Sequence, residues 1–350
     1  MPTDKLISFV IIAYRQERFI RACMEGAFAQ TYPGPMEIVV CDDHSDDSTW
    51  EVIQQTAAAY QGPRPLVIHR NPVNLGINGN TNQAMALAKG DFVIFLGGDD
   101  VSLPGKTEKV VDRWLDGAMG VFNNAIIMDG DGRQGVARDN EATVRPFTLE
   151  GMVSYGNHGG RGPGFSWDKK IFTVFGPLPE KPVGEDAFVA FRAALLGRLD
   201  YILEPLDLWR HHGNNTTFVL QKSPFSRLQK KTQDSKHKQY FMDMFSAWFI
   251  DLETAEKAGV ITPQRASWAK DLVQFHYRRV QCRLESRWPF IKNMILIWRK
   301  RNKLAGKAFW HLMIVEISQS PWLFWPLWVF FRPIKWIKGR ATRSGVMGGL

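Results

Sequence analysis

Phe92-Val93-Ile94-Phe95-Leu96-Gly97-Gly98-Asp99-Asp100 is the stretch that decides the fold. An apolar run without a polar interruption is what a strand buried on both faces requires, and such strands belong to parallel sheets covered by helices. The run ends in two glycines, which let a backbone approach a ligand closely. Two carboxylates follow. Side by side at the end of an apolar strand, Asp99 and Asp100 repel each other unless a positive partner joins them. Oxygen donors of this kind suit Mg2+ or Mn2+, and a cation so held can carry a diphosphate. Used only as turn caps, the same two residues would be structural.

Upstream the same grammar repeats. Residues 7–12 form another continuous apolar run, and residues 17–30 place Phe19, Ile20, Cys23, Met24 and Ala27 at helical spacing before Pro33-Gly34-Pro35 breaks the chain. Residues 37–41 predict a second strand running into Asp42-Asp43. Ser48-Thr49 opens a helix with Trp50, Ile53 and Ala57 on one face, with Asp47 or Ser48 as its cap. A third strand at 66–69 and a helix at 81–88, closed by Gly90, lead into the run that opened this section. Strands alternating with helices imply a parallel sheet with right-handed crossovers, and ligands bind beyond the carboxyl ends of such strands. Here those ends carry Tyr14, Asp42-Asp43 and Asp99-Asp100. The carboxylates at 42–43 can accept hydrogen bonds from a nucleobase N–H or from ribose hydroxyls.

Downstream, residues 120–164 carry only short apolar runs, and 168–186 include a loop rich in Pro and Gly. Gly184-Glu185-Asp186 then opens a helix over 187–196. One carboxylate of that pair can act as a general base, although acids in a first turn are also ordinary partners of the helix dipole. A strand at 201–208 leads to Trp209-Arg210-His211-His212, where Arg and His can neutralise a leaving diphosphate or ligate a cation. Beyond residue 220 the character changes to successive basic amphipathic helices with interleaved aromatics. The reading is therefore a catalytic domain over 1–220 and a helical region over 221–350.

Charge divides the chain at the same place. Residues 1–220 hold 20 Lys and Arg against 27 Asp and Glu, and residues 221–350 hold 24 against 8. The acidic part suits a cation site, and the basic part suits an anionic surface, either phospholipid or nucleic acid, with the aromatic segment below favouring lipid. Residues 321–331 are apolar and rich in Trp and Phe, too short to span a bilayer, and followed by Arg332, Lys335, Lys338, Arg340 and Arg343. Segment 320–340 is expected to attach the protein peripherally to a membrane. Three scattered cysteines give neither a disulfide framework nor a zinc site, and no secretory signal is read at the start. A cytoplasmic enzyme on the inner face of the membrane is the expectation.

In order and spacing, these motifs resemble those of family 2, the inverting glycosyltransferases with the GT-A fold, over roughly residues 5–220. Val10-Ile11-Ile12-Ala13-Tyr14-Arg15 is similar to the family's opening strand and turn. Asp42-Asp43-His44-Ser45-Asp46-Asp47-Ser48-Thr49 is similar to its Asp-Asp-Gly-Ser-x-Asp-x-Thr pattern. Asn74-Leu75-Gly76 with Asn82, Gly97-Gly98-Asp99-Asp100, Glu185-Asp186 and Arg210-His211-His212 complete the likeness. The resemblance implies a Rossmann-like, mostly parallel sheet flanked by helices, with a helical C-terminal extension. It implies a nucleotide-sugar donor, a UDP-sugar above others, and a saccharide or lipid-linked saccharide acceptor. By the same likeness Tyr14 and Asp43 hold the base, Asp99 the ribose and Asp100 the metal, with Asn82 and Arg210 lining the donor site. Asp186, beside Glu185, is the base, and His212 meets the diphosphate or the metal. Two positions depart from the family pattern: Gly97 stands where an acid is common, and His44 replaces a glycine. A nucleotidyltransferase would need a glycine-rich loop after the first strand, where this chain has Tyr14-Arg15-Gln16-Glu17-Arg18. A degenerate scaffold would have no use for the whole acidic set.

Overall fold

The computed structural model describes residues 4–139, 148–156, 164–181, 184–212, 227–285, 289–304 and 308–313. The chain divides into two compact units, Met1–Tyr277 and Arg278–Leu350. The change of charge near residue 220 and the division after Tyr277 mark different things, composition in one case and packing in the other.

The first unit is built on β1 (Ile7–Ala13), β2 (Met36–Asp42), β3 (Leu66–Arg70), β4 (Phe92–Gly97), β5 (Val101–Ser102), β6 (Ala118–Asp129), β7 (Gln134–Ala137), β8 (Phe165–Asp168) and β9 (Arg198–His211). Among the described residues these form one sheet in the order β3-β2-β1-β4-β8-β6-β9-β5, with β7 on β6. The half that the sequence alternation predicts, β3-β2-β1-β4, is wholly parallel. Past β4 the sheet is mixed: β8 runs antiparallel to both β4 and β6, while β6 and β9 are parallel. The helices are α1 (Ile20–Phe28), α2 (Thr49–Ala59), α3 (Gly76–Leu87), α4 (Lys106–Leu115), α5 (Leu149–Tyr155), α6 (Lys170–Phe175), α7 (Glu185–Leu196) and α8 (Arg227–Lys257), followed by α9 (Pro263–Glu285). In the second unit, α10 spans Pro289–Arg299.

Register places the site. Ala13 pairs with Asp42, and Ile12 with Gly97, so the first strands end level with one another. The ladder continues for one more bond on each side, as Asp43 N donates to Ala13 O (2.8 Å) and Gly98 N to Ile12 O (2.9 Å). Tyr14, Asp43 and Asp99 therefore leave the sheet along one edge. On the far side β5 pairs antiparallel with β9, Val101 opposite Leu208, which carries Asp99 and Asp100 toward Arg210. Below this edge, apolar side chains such as Phe9, Ile11, Ile38, Val40, Ile94 and Leu96 are withdrawn from water and fix the strands.

Candidate active site

The exit of β4 is shaped by its two glycines. A Cβ on Gly98 would meet Gln16 Oε1 and lie 2.9 Å from Ile20 Cδ1, so any side chain here would have to displace the ends of Gln16 and Ile20. A Cβ on Gly97 would lie 3.0 Å from Asp99 Oδ1 and 3.9 Å from Asp100 Oδ2. Both carboxylates thus fold back over Gly97, filling the space an acid at 97 would take in the commoner pattern. Asp100 is 6% exposed and accepts Arg210 N–H at Oδ1 (2.8 Å), while its Oδ2 takes no hydrogen bond among the described residues. Burial and the neighbouring Asp99 push the Asp100 carboxyl well above the ordinary range. Two converging carboxylates held away from water form the donor set that a hard divalent cation neutralises. Among the described residues no three His, Cys, Asp or Glu side chains converge as a complete metal cage. Two protein carboxylates with the remaining positions left to phosphate oxygens and water is how Mg2+ is commonly held.

The end of β9 closes over this pair. Arg210 donates from Nε to Asp99 O (2.9 Å) and from Nη1 to Asp129 O (3.4 Å), and its guanidinium lies 4.7 Å from the Phe19 ring. Its fork is spent on main-chain carbonyls, so it braces the β4 and β6 ends and contributes charge rather than a free donor pair. His212 packs on Phe19 at 4.8 Å, and its Nε2 lies 3.0 Å from Asp99 Oδ2. The histidine expected beside the metal is thus engaged with Asp99, which it orients. His211 points elsewhere, edge-on to Trp209.

At the end of β2 the adjacent carboxylates separate in role. Asp42 is fully buried, bound by Ser45 N–H and its hydroxyl, with Arg70 Nε 3.3 Å away. Asp43 Oδ1 accepts from Asn71 Nδ2 and from Leu75 N, both at 2.8 Å, leaving Oδ2 without a hydrogen bond among the described residues. Tyr14 is 40% exposed beneath the Arg15 guanidinium, 5.2 Å from its ring, and Asp46 clamps that arginine. His44 adopts φ +57, the left-handed region where the family pattern has glycine. A contact of 3.1 Å between its Nδ1 and Asn71 O offsets part of a cost of about 1–2 kcal/mol.

Asn82 does not join the donor-side groups. Its Nδ2 donates to Leu178 O (2.9 Å) and its Oδ1 accepts Leu178 N–H (2.7 Å), a pairing that consumes the amide. Asn78 does the same one turn earlier, donating to Pro179 O (2.8 Å) and accepting Gly184 N–H (3.2 Å). Between them Asn80 donates to Cys41 O (3.1 Å) and accepts from Asn71. These alternating amides on α3 tie the ends of the sheet to the loop that enters α7. Asn78 and Asn80 were missed by the sequence reading, although three asparagines inside a helix, where they disfavour helix, are a signal of committed side chains.

Gly184 at φ +136 turns the chain into α7. A Cβ there would lie 3.2 Å from Tyr240 Oη and 3.6 Å from Asp186 Oδ1, so the phenol and the carboxylate share one small volume. Tyr240, on α8, was not anticipated. Burial and then the charges of Asp186 and Glu185 raise its phenol above the ordinary range. Its helix is joined to α7 by the stacked Phe191 and Trp248 rings (4.2 Å) and by a buried ion pair, Arg192 to Asp251 (3.0 Å). Desolvation, followed by repulsion from Asp186, pushes the Glu185 carboxyl up to about 8.

A group whose carboxyl is raised from near 4.5 to about 8 binds more protons folded than unfolded between those values, so its contribution to stability falls as pH climbs through that window. Glu185→Gln removes the effect. Between pH 5 and pH 8.5 the wild type should lose roughly 5 °C more in Tm than the variant. Parallel loss in both proteins would mean that Glu185 titrates as an ordinary carboxyl.

With this geometry in view, residues 8–174 match the model of glycosyl transferase family 2. This stretch is a family 2 glycosyltransferase domain. The chain is 26% identical over 309 residues to an uncharacterized glycosyltransferase of Nostoc sp., covering 83% of this chain and 88% of the other. It is 35% identical over 96 residues to the Escherichia coli UDP-Glc:alpha-D-GlcNAc-diphosphoundecaprenol beta-1,3-glucosyltransferase WfaP, 27% of this chain and 36% of that one. It thus spans about a third of WfaP and of the three mycobacterial relatives that also share 35% identity with it. Among solved structures, Staphylococcus aureus TarS 1–349 with UDP-GlcNAc superposes with a TM-score of 0.55 at 14% identity, covering 86% of this chain and 82% of TarS, a likeness of fold. The family 2 match includes β1 to β4 and the Asp99-Asp100 turn, and ends within α6, before Glu185 and Arg210.

Proposed function

We propose that this glycosyltransferase moves a sugar from a UDP-sugar to an acceptor hydroxyl with inversion at the anomeric carbon. The observation that carries the reading is the convergence of Asp99 and Asp100 over Gly97, on the same sheet edge as Tyr14 and Asp43. Tyr14 stacks against the base, and the open oxygen of Asp43 accepts its imide N–H. Asp99 faces the ribose, and Asp99 and Asp100 are the residues that would hold Mg2+ or Mn2+. A cation held there would supply positive charge against the diphosphate of the leaving UDP. Arg210 adds a fixed positive charge to the same edge. Asp186 removes the proton from the acceptor hydroxyl, the new oxygen–carbon bond forms on one face, and the bond to UDP breaks on the other. Glu185, holding its own proton at neutral pH, limits the negative charge beside that base.

The WfaP match supports a UDP-sugar donor and a lipid-linked saccharide acceptor in the assembly of a surface polysaccharide. We place the protein on the inner face of a membrane. No helix among the described residues is long and apolar enough to cross one, and segment 320–340 lies outside those residues. Calorimetric titration of UDP, GDP and dTDP, with and without Mn2+, tests the donor site. UDP should bind only with the metal, and Asp100→Ala should weaken it at least roughly tenfold. Metal-independent binding would remove the cation from the reading, and no binding of any nucleotide would remove the donor.

A further inference from the structure

The second unit carries its own unexplained surface. On α10 the buried side holds Asn293 and Ile297, while Ile295 and Trp298 are 47% and 57% exposed. In the helical segment 308–313, Ala308 and Leu312 are buried and Trp310 is 64% exposed. Phe309 links the two pieces, its ring 6.3 Å from Trp298 and 5.1 Å from Trp310. The tryptophans are therefore not filling the core of this unit. They form one aromatic strip on the outside of it, which is costly to leave in water. Cations border the strip: Arg301 lies 4.9 Å over the Trp298 ring, and Lys292, Arg299 and Lys303 are exposed. Residues 286–315 hold seven Lys and Arg and no Asp or Glu.

We propose that this strip docks on an anionic phospholipid surface, the indole rings seated at headgroup depth and the surrounding cations paired with lipid phosphates. Wide aromatic rings with a polar edge are suited to the bilayer interface, and long basic side chains reach outward from it to the phosphates. Uniform positive charge selects anionic lipid and disfavours a protein partner of mixed charge. The inference rests on the membrane-surface reading above, but assigns the contact to residues 292–304 and 308–310 rather than to 320–340.

The full-length chain is to be pelleted with vesicles of equal phosphatidylglycerol and phosphatidylcholine, and with phosphatidylcholine alone. Wild type should pellet with the former only. Trp298→Ala with Trp310→Ala, and separately Lys292→Gln with Arg299→Gln and Arg301→Gln, should each lower partitioning at least roughly tenfold, with UDP binding unchanged. A tail variant, Trp325→Ser, Trp328→Ser, Lys335→Gln and Lys338→Gln, serves as comparison. If only the tail variant loses the vesicles, membrane attachment stands and this assignment falls. If wild type does not pellet, both fall. Displacement by duplex DNA of the protein from its vesicles would reassign the strip to nucleic acid.

Discussion

Asp186→Asn is expected to lower the transfer rate by roughly a thousandfold while leaving the affinity for UDP and Mn2+ within about twofold. The substitution keeps the size of the side chain and removes its basicity. Positioned general bases contribute about 10²- to 10⁴-fold, and the middle of that range is appropriate where no other carboxylate can take over. Glu185 is the obvious substitute, but burial, the larger cause of its raised carboxyl, persists when Asp186 is replaced and still disfavours its charged form. The same argument gives the pH signature. In Asp186→Asn only the smaller cause, the negative neighbour, is gone, so the Glu185 carboxyl stays above the ordinary range and any residual turnover that it carries should rise with pH. Turnover of Asp186→Asn within tenfold of wild type would show that the base lies elsewhere.

How much of this was legible beforehand depends on whether the interaction is local. The parallel half of the sheet follows from largely apolar runs at 7–12, 37–41 and 92–96, interrupted only by Ser8 and Glu37, which are buried because the hydroxyl of one donates to the carboxylate of the other. The strand ends name Tyr14, Asp43, Asp99 and Asp100 for the same reason. The mixed half was hidden. β8 is four residues long, and its antiparallel insertion between β4 and β6 depends on pairings far apart in sequence. Asn82 shows the same limit at the scale of one side chain. A motif places it near the donor, yet its amide is consumed by Leu178, a partner 96 positions away. Tyr240 could not be read from pattern at all, since only packing of α8 on α7 brings its phenol to Gly184. His44 was anticipated as a departure, and its positive φ is the cost that the missing glycine implies.

The second large effect is on stability, and it lies directly beneath the candidate site. Lys106 and Asp207 are both fully buried, with Nζ 2.9 and 3.0 Å from the two carboxylate oxygens. Ser102 Oγ (2.6 Å) and Asn123 Nδ2 (2.7 Å) donate to the same carboxylate. Asp207→Ala leaves an ammonium group in the interior with no counter-charge, strands the Ser102 hydroxyl and removes one of the two bonds of Asn123 Nδ2, which keeps Asn124 O at 2.8 Å. Breaking one side of a buried pair costs about 3–5 kcal/mol, which for a unit of this size lowers Tm by roughly 10 °C. Replacing both partners, Lys106→Met with Asp207→Leu, removes the buried charge altogether. About half of the loss should return, the remainder being the unpaired hydroxyl and the lost amide bond. A single substitution within 2 °C of wild type, on the order of 1 kcal/mol or less, would mean that water reaches Lys106. The pair also matters to chemistry, because Asp207 and Lys106 act on the Asp100 carboxyl in opposite senses. The double variant removes both charges together and should keep metal-dependent UDP binding, whereas Asp207→Ala leaves an uncompensated cation close to the metal-holding carboxylates and should weaken it. Nucleotide binding that tracks Tm across all three variants would reduce the pair to scaffold alone, whereas weakened binding in Asp207→Ala well below its melting transition would tie it to the site's electrostatics.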